Sequence, residues 1–343
     1  PRQESFNVSR KEILSPHQKL QLSQMQERMR NRIRLRHMAY STEQSYCSCL
    51  ARYAEHLAIH KFQGDASAKV EAYLTWMALN DYSATAQNQA FCALLFFYRD
   101  CLGQELKNVD ALRAKRPKRV PYSPTFTDVQ RLLADIQDSG GYPLRLMVHL
   151  LYGCGMRLKE VCELRMKDVD LVNSRITIHQ AKGAKDRPVP LPCNLSVPLG
   201  IQMAAAAASA DRDRANGLPI HLPGRLAIKY PRMPFSKDWA FVFPARNPCT
   251  FKRNGITGRY CCLGENIQRA VRASVRRLGL NDMLHPHSLR HGFSTHAIDQ
   301  GTNIRDLQEV LGHNSLETTQ VYVHAEVGRV RSPIERMELV AYQ

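Results

Sequence analysis

The stretch Arg113-Ala-Lys-Arg-Pro-Lys-Arg-Val-Pro-Tyr-Ser-Pro124 constrains this chain more than any other. It holds five cations and three prolines and shows no apolar periodicity. Proline lacks a backbone N–H and disfavours the helical region for the residue before it, so neither a helix nor a central strand can run through. The 343 residues therefore read as two domains, a helical one over 21–112 and a larger one over 125–343, with 113–124 as a basic linker. Residues 1–20 are polar and expected to be flexible.

On the N-terminal side, Leu22, Met25, Met29 and Ile33 follow helical spacing, with Arg28, Arg30, Arg32, Arg34 and Arg36 interleaved. Those arginines make either a solvated basic face or a helix that contacts phosphates. Ser41-x-x-Gln44 reads as a capping box, opening a helix marked by Tyr46, Leu50, Tyr53 and Leu57. A third helix carries Val70, Tyr73, Leu74 and Met77. Ser83 can cap a fourth, with Phe91, Leu94, Leu95 and Tyr98 inward and Gly103 at its end. This half is a helical bundle with no visible chemistry of its own.

The C-terminal half mixes periodicities. Thr127-x-x-Gln130 is a second capping-box pattern, and a helix over about 143–152 runs into Gly153-Cys-Gly-Met-Arg157-Leu-Lys-Glu160. Glycines on either side of Cys154 allow a tight turn that sets Arg157 at a helix N-terminus. Alternation over 175–179 and 187–191 predicts two short strands, with Lys182 and Lys185 in the turn between them. An Ala-rich helix (201–210), an irregular segment rich in Pro, Arg, Trp and Phe (211–262) and a helix over 265–278 follow. The expected fold is mainly α with a small β-sheet. His287 and Arg290 lie three apart and so share one side of a helix, an arrangement suited to an anionic oxygen cluster. A helix over 303–311 comes next, with Gly301 and Gly312 where helix C-termini are expected.

The net charge of +17 is the electrostatic footprint of a polyanionic partner. No apolar run approaches the ~20 residues of a membrane span, and the N-terminus lacks the layout of a secretion signal. The ten cysteines include no C-x-x-C pair, so zinc spacing is absent and buried reduced thiols, Cys92 and Cys162 among them, are expected. These features point to a cytoplasmic nucleic-acid-binding protein with no membrane partner.

In order, Arg157, Lys182, His287-x-x-Arg290, His313 and Tyr322 resemble the active-site series of the tyrosine recombinases. The flanking Gly-x-Gly-Met-Arg-Leu-x-Glu, Lys182-Gly, Leu-Gly-His313 and Thr-Thr-x-x-Tyr322-x-His pieces match as well. The resemblance implies a helical core-binding domain and a catalytic domain closing a C-shaped clamp around DNA. It implies a 3′-phosphotyrosyl intermediate made by Tyr322, whose pKa near 10 calls for a nearby base or strong positive charge. Arg157 and Arg290 would hold the non-bridging oxygens. Lys182 would protonate the departing 5′ oxygen, with Lys185 the alternative. His287 would take the phenol proton and His313 would hold a phosphate oxygen. Glu160 either orients Arg157 or is purely structural. No step needs a metal or ATP, so no cofactor is expected; the histidines at 285, 287, 291, 296, 313 and 324 invite a metal reading, but His287 and His291 lack a matching carboxylate ligand at useful spacing.

A narrower similarity is to the integron integrases, carried by Lys229-Tyr-Pro231, Trp239-Ala-Phe-Val-Phe-Pro244 and the tail Val327-Gly-Arg-Val-Arg-Ser-Pro333. It implies that the 211–262 insertion grips extrahelical bases of a folded single strand, and that 324–343 docks on a neighbouring protomer of a tetramer. Aromatic positions of that branch fall at His179 and His221 here, and a histidine pair at Cys261-Cys262. The DNA-contact candidates are Arg32, Arg36, Arg116, Lys118, Arg119, His179, Lys185, His221 and Trp239. Trp239, Phe241 and Phe243 are either core or a stacking platform for unpaired bases. The competing readings are a phage- or Xer-type recombinase on duplex sites, a non-catalytic DNA-binding protein and a metal-dependent nuclease.

Overall fold

A computed structural model describes residues 13–106, 122–179, 186–251 and 255–312. The chain divides into two compact units, Pro1–Arg119 and Val120–Gln343. It is mostly helical with small sheets, as the mixture of periodicities predicts.

The described part of the first unit is built on helices α1 (Pro16–Leu35), α2 (Tyr40–His60), α3 (Ala66–Leu79) and α4 (Ala84–Phe96), the last continuing as a π-helical stretch over Phe97–Leu102. Helix α1 begins earlier than the polar composition suggests. Ser15 and Gln18 form a reciprocal capping box ahead of Pro16, which anchors a start that carries no apolar residue. Helix α2 starts at Tyr40 after Ala39 with no side-chain cap, so Ser41 is inside the helix and not its cap. Ser83 does cap α4, and Gly103 ends the π-helical stretch with φ +69°. The core gathers Met29, Ile33, Leu50, Tyr53, Val70, Met77, Phe91 and Leu94. The Tyr53 and Tyr98 hydroxyls share a hydrogen bond of 2.9 Å inside it.

In the second unit, α5 (Phe126–Asp135) is capped by Thr125, whose hydroxyl accepts from the Asp128 amide, and not by Thr127. Next come α6 (Leu144–Gly153) and the short α7 (Leu158–Cys162). A three-stranded antiparallel sheet follows in the order β1 (Val169–Asp170), β2 (Arg175–Ile178), β3 (Arg187–Pro190). Its register sets Ile176 against Val189 and Ile178 against Arg187. Period-2 alternation then turns Ile176, Ile178, Arg187 and Val189 inward.

Helix α8 spans Cys193–Ala215, well beyond the expected 201–210. The insertion that follows contains the one-turn α9 (Leu226–Lys229) and the two-residue pair β4 (Cys249–Thr250) and β5 (Thr257–Gly258). A buried bidentate ion pair from Arg259 to Asp213 (2.6 and 2.7 Å) ties this insertion to α8. Phe241 and Phe243 are 2% and 1% exposed and belong to the core. Three longer helices, α10 (Gly264–Leu278), α11 (Pro286–Asp299) and α12 (Ile304–Leu311), complete the described unit. All ten cysteines are free. Cys162 is buried, whereas Cys92 is exposed: the inward face of α4 is taken by its neighbours Ala90, Phe91 and Leu94. Among the described residues no helix is long and apolar enough to cross a membrane.

Candidate active site

The site is assembled at the C-terminal end of α12. The last carbonyls of a helix have no partner within it and carry partial negative charge. Here they collect three guanidiniums. Arg187 Nε donates to the Val310 carbonyl at 2.8 Å, and Arg290 Nη2 and Arg157 Nη2 donate to the Leu311 carbonyl at 2.5 and 3.5 Å. Asn303 opens this helix by accepting from the Arg305 amide, and Gly312 closes it at φ +62°.

Glu160 is the anion between these cations. Its carboxylate accepts from the Arg157 amide (2.8 Å), Arg157 Nη1 (2.7 Å) and Arg187 Nη2 (2.7 Å), and lies 4.0 Å from Arg290 Nη1. Burial pushes the Glu160 carboxyl up, but the Arg157 amide and the Arg187 guanidinium outweigh it, and the net displacement is below the usual carboxylate value. Glu160 thus stays charged while buried.

Arg157 and Arg290 are held differently. Arg157 occupies the N-cap position of α7 with a side chain 38% exposed. Arg290 is 2% exposed, and its Nη1 donates to the Gly155 carbonyl at 2.7 Å. Gly155 has φ +60°, and a Cβ there would lie 2.5 Å from the Phe293 ring. Only glycine gives this turn both its backbone and its clearance.

His287 stands exposed one turn before Arg290 on α11. It stacks near-parallel with His285 (6.4 Å) and meets the His291 ring edge-on (4.6 Å). Partial burial, then Arg290, His285 and Arg157, lower the His287 pKa from its ordinary value. Burial and the neighbouring His287 push His291 down to about 4. Burial and then the neighbouring cationic groups thus favour the neutral forms of His287 and His291. His285 caps α11, its Nδ1 accepting from the Ser288 amide.

A second group lies on the sheet side. His179 sits between two carboxylates, with Nδ1 2.6 Å from Asp186 and Nε2 3.1 Å from Asp168. Lys167 pairs with Asp168 and lies 4.8 Å from the Trp239 ring centroid. Trp239 is half-buried, and Arg165 stacks near it at 5.4 Å while donating to its carbonyl. His221 packs between Phe251 (4.4 Å) and Tyr260 (5.0 Å), and burial, with Arg165 nearby, pushes it down to about 4. Cys261 and Cys262 are buried. In the first unit, Arg28, Arg32 and Arg99 line a surface cavity of about 430 Å³, and Arg36 is paired with the buried Asp100.

The structure therefore brings Arg157, Glu160 and Arg290 together, with His287 beside them. Lys182, Lys185, His313, Tyr322, Arg116, Lys118 and Arg119 lie outside the described residues, as does the 324–343 tail. Arg187 was not singled out among the site residues by sequence reasoning. Its signal was an arginine on the inward face of a strand, in register with Val189 and Leu191.

The model of the phage integrase family matches residues 125–329, and one for the phage integrase N-terminal SAM-like domain matches residues 25–108. An integrase/recombinase of Escherichia coli is 34% identical over 317 residues, covering 91% of this chain and 93% of that relative. Tyrosine recombinase XerA of Thermococcus kodakarensis is 29% identical over 269 residues, covering 78% and 80%. Two solved structures share the fold. The Tn1549 transposon integrase in complex with a circular intermediate DNA gives a TM-score of 0.59 at 17% identity, covering 91% of this chain and 98% of that one. XerH bound to palindromic difH substrate gives 0.57 at 19% identity, covering 90% and 82%.

Proposed function

This chain belongs to the phage integrase family, the tyrosine recombinases, which break and rejoin DNA strands, and from that premise we propose that it is an integron-type integrase. The convergence of Arg157 and Arg290 on Glu160 and the Leu311 carbonyl carries the assignment of the phosphate-binding centre. Neutral carbonyls take hydrogen bonds from these guanidiniums without cancelling their charge. Glu160 offsets only one of the three cations, so the pocket stays electropositive where an anionic transition state needs it.

In the proposed reaction the Tyr322 oxygen attacks the scissile phosphorus and forms a 3′-phosphotyrosyl bond. The bond to the 5′ oxygen breaks, and Lys182 protonates that leaving oxygen. His287 takes the phenol proton, a role its depressed pKa suits because the ring is neutral and able to accept. Arg157 and Arg290 hold the non-bridging oxygens, and His313 donates to one of them. Attack by a 5′ hydroxyl from the paired strand reverses the step, so the phosphotyrosyl bond conserves the energy and neither metal nor ATP is used. Four copies act on two paired sites, each 324–343 tail docking on a neighbour.

The integron reading draws on the insertion over 211–262, where the half-buried Trp239 and the adjacent Lys167 offer a flat ring beside a cation. Arg32, Arg36, Arg116, Lys118, Arg119, His179, Lys185 and His221 remain the candidates for further DNA contact. The XerA relative favours a second reading, a recombinase acting on duplex sites. The test is covalent trapping. The chain is incubated with a randomised pool of oligonucleotides, folded single strands and duplexes, each nicked near the candidate bond. Adducts that survive denaturant are then sequenced. Adducts from folded strands support the integron reading, and adducts from duplexes alone support the second. No adduct with the native chain, or an undiminished yield with Tyr322→Phe, overturns the cleavage assignment.

A further inference from the structure

We propose that Arg187 is a positioning residue for strand cleavage, fixing Glu160 and the end of α12 so that Arg157 and Arg290 present one preformed phosphate site. This rests on the reading of those two arginines as phosphate holders. Nε of Arg187 holds the Val310 carbonyl and Nη2 holds Glu160, so one planar group joins β3, α7 and α12. Its side chain is 6% exposed, against 38% for Arg157. Of the two arginines that Glu160 accepts from, Arg187 is therefore the fixed one.

Packing does not explain an arginine here. Position 187 lies on the inward face of β3 with Val189, opposite Ile178, among apolar side chains. Among the described residues the buried Arg187 Nη1 has no hydrogen-bond partner, an arrangement that costs stability. Replacing a whole buried ion pair by apolar residues of similar volume is often neutral or stabilising, whereas removing one partner alone leaves the other charge uncompensated. What the guanidinium adds is geometry. It also stands, in sequence, at the first strand position after 180–185, the segment that holds Lys182.

The decisive variant is Arg187→Met, assayed in the full-length chain on the nicked oligonucleotides recovered by trapping. Expected are a lowered urea midpoint with a cooperative transition retained, DNA affinity changed by less than about twofold in the folded chain, and covalent-complex formation slowed on the order of 100-fold, the scale of a small misplacement near the chemistry. Arg187→Met combined with Glu160→Gln should lose less than the product of the two single losses, since the two residues act in part through one shared contact. A native cleavage rate in Arg187→Met, or rate losses that multiply in the double variant, overturns the proposal. If the native chain forms no adduct, the cleavage assignment fails separately. The Arg187–Glu160 tie is then decided by urea denaturation of Arg187→Ala, Glu160→Gln and their double variant: additive losses overturn it and non-additive losses support it.

Discussion

Arg157 and Arg290 share one acceptor: both donate to the Leu311 carbonyl, from α7 and α11, although far apart in the chain. Two fixed cations this close repel, and what tolerates the contact is the negative end of α12 together with Glu160. The site is therefore an electrostatic balance before any DNA arrives, and its pieces fail in different ways when removed.

Glu160→Gln keeps the shape of the side chain and deletes its charge. It leaves Arg187 and Arg290 buried beside an amide, and breaking a buried pair in this way costs about 3–5 kcal/mol. The sign of the pH effect follows from the depressed carboxyl. The stabilisation is present above the ordinary carboxylate value and is lost as pH falls through the lower value of the folded state. Urea denaturation at neutral pH and in acid, below the ordinary carboxylate range, checks this. The gap between native chain and variant should shrink in acid, and a constant gap would remove Glu160 from its place as the balancing charge.

Gly155→Ala should be harmful for two separable reasons. A left-handed residue with a Cβ costs about 1–2 kcal/mol, and that Cβ would meet the Phe293 ring at 2.5 Å. Any shift of the turn also moves the carbonyl that holds Arg290. Adding Phe293→Ala removes the clash alone. The double variant should regain part of the strand-cleavage rate lost by Gly155→Ala while keeping the backbone penalty in thermal melts. Identical rates in the single and double variants would show that the ring contact is irrelevant.

Much of this arrangement was legible in the chain. The glycines at 155 and 312, the spacing of His287 and Arg290, and the alternation over 175–179 and 187–191 point to the turn before Arg157, α11, α12 and strands β2 and β3, whereas the two-residue β1 is too short to show alternation. Helix starts were less legible. Ser41-x-x-Gln44 and Thr127-x-x-Gln130 fit the capping pattern, yet Ala39 and Thr125 hold the N-cap positions. A local four-residue pattern does not register that Glu43 is drawn to Arg34 across two 3.0 Å hydrogen bonds. Arg187 was missed for a related reason. Strand alternation marks which face a residue takes, but an inward arginine has meaning only once Glu160 and α12, distant in sequence, are known to lie there.

His56 gives the first unit a sensitivity to acid that has nothing to do with cleavage. It is 4% exposed, neither ring nitrogen has a hydrogen-bond partner among the described residues, and its ring lies against His60 (4.3 Å) and Trp76 (4.7 Å). Burial, with His60 beside it, pushes its pKa down to about 4. A lowered value in the folded state means that the unfolded chain binds the proton first. Stability contributed by the neutral ring is therefore full above the ordinary value of 6.5 and declines towards pH 4. The displacement corresponds to about 3 kcal/mol. His56→Phe keeps a ring in the cluster and should flatten the stability profile between those limits. An unchanged acid slope in the variant would place the sensitivity elsewhere.

Trp239 separates the two readings of the DNA substrate. Its neighbours Phe241 and Phe243 are fully committed to the core, whereas Trp239 is half-buried, with Lys167 and Arg165 beside its ring. The hydrogen bond that Arg165 Nη1 donates to the Trp239 carbonyl at 2.6 Å does not involve the indole, so removing the indole should leave the local backbone in place. A base stacked on that ring would be worth about 1–3 kcal/mol. Trp239→Ala should then weaken binding to a folded strand with extrahelical bases by the corresponding factor of about 5 to 150, and leave a fully paired duplex bound as before. Trp239→Phe, which retains a smaller aromatic face, should fall between. Equal losses on both substrates would make the indole a packing element, and undiminished binding to the folded strand would take base stacking away from this surface.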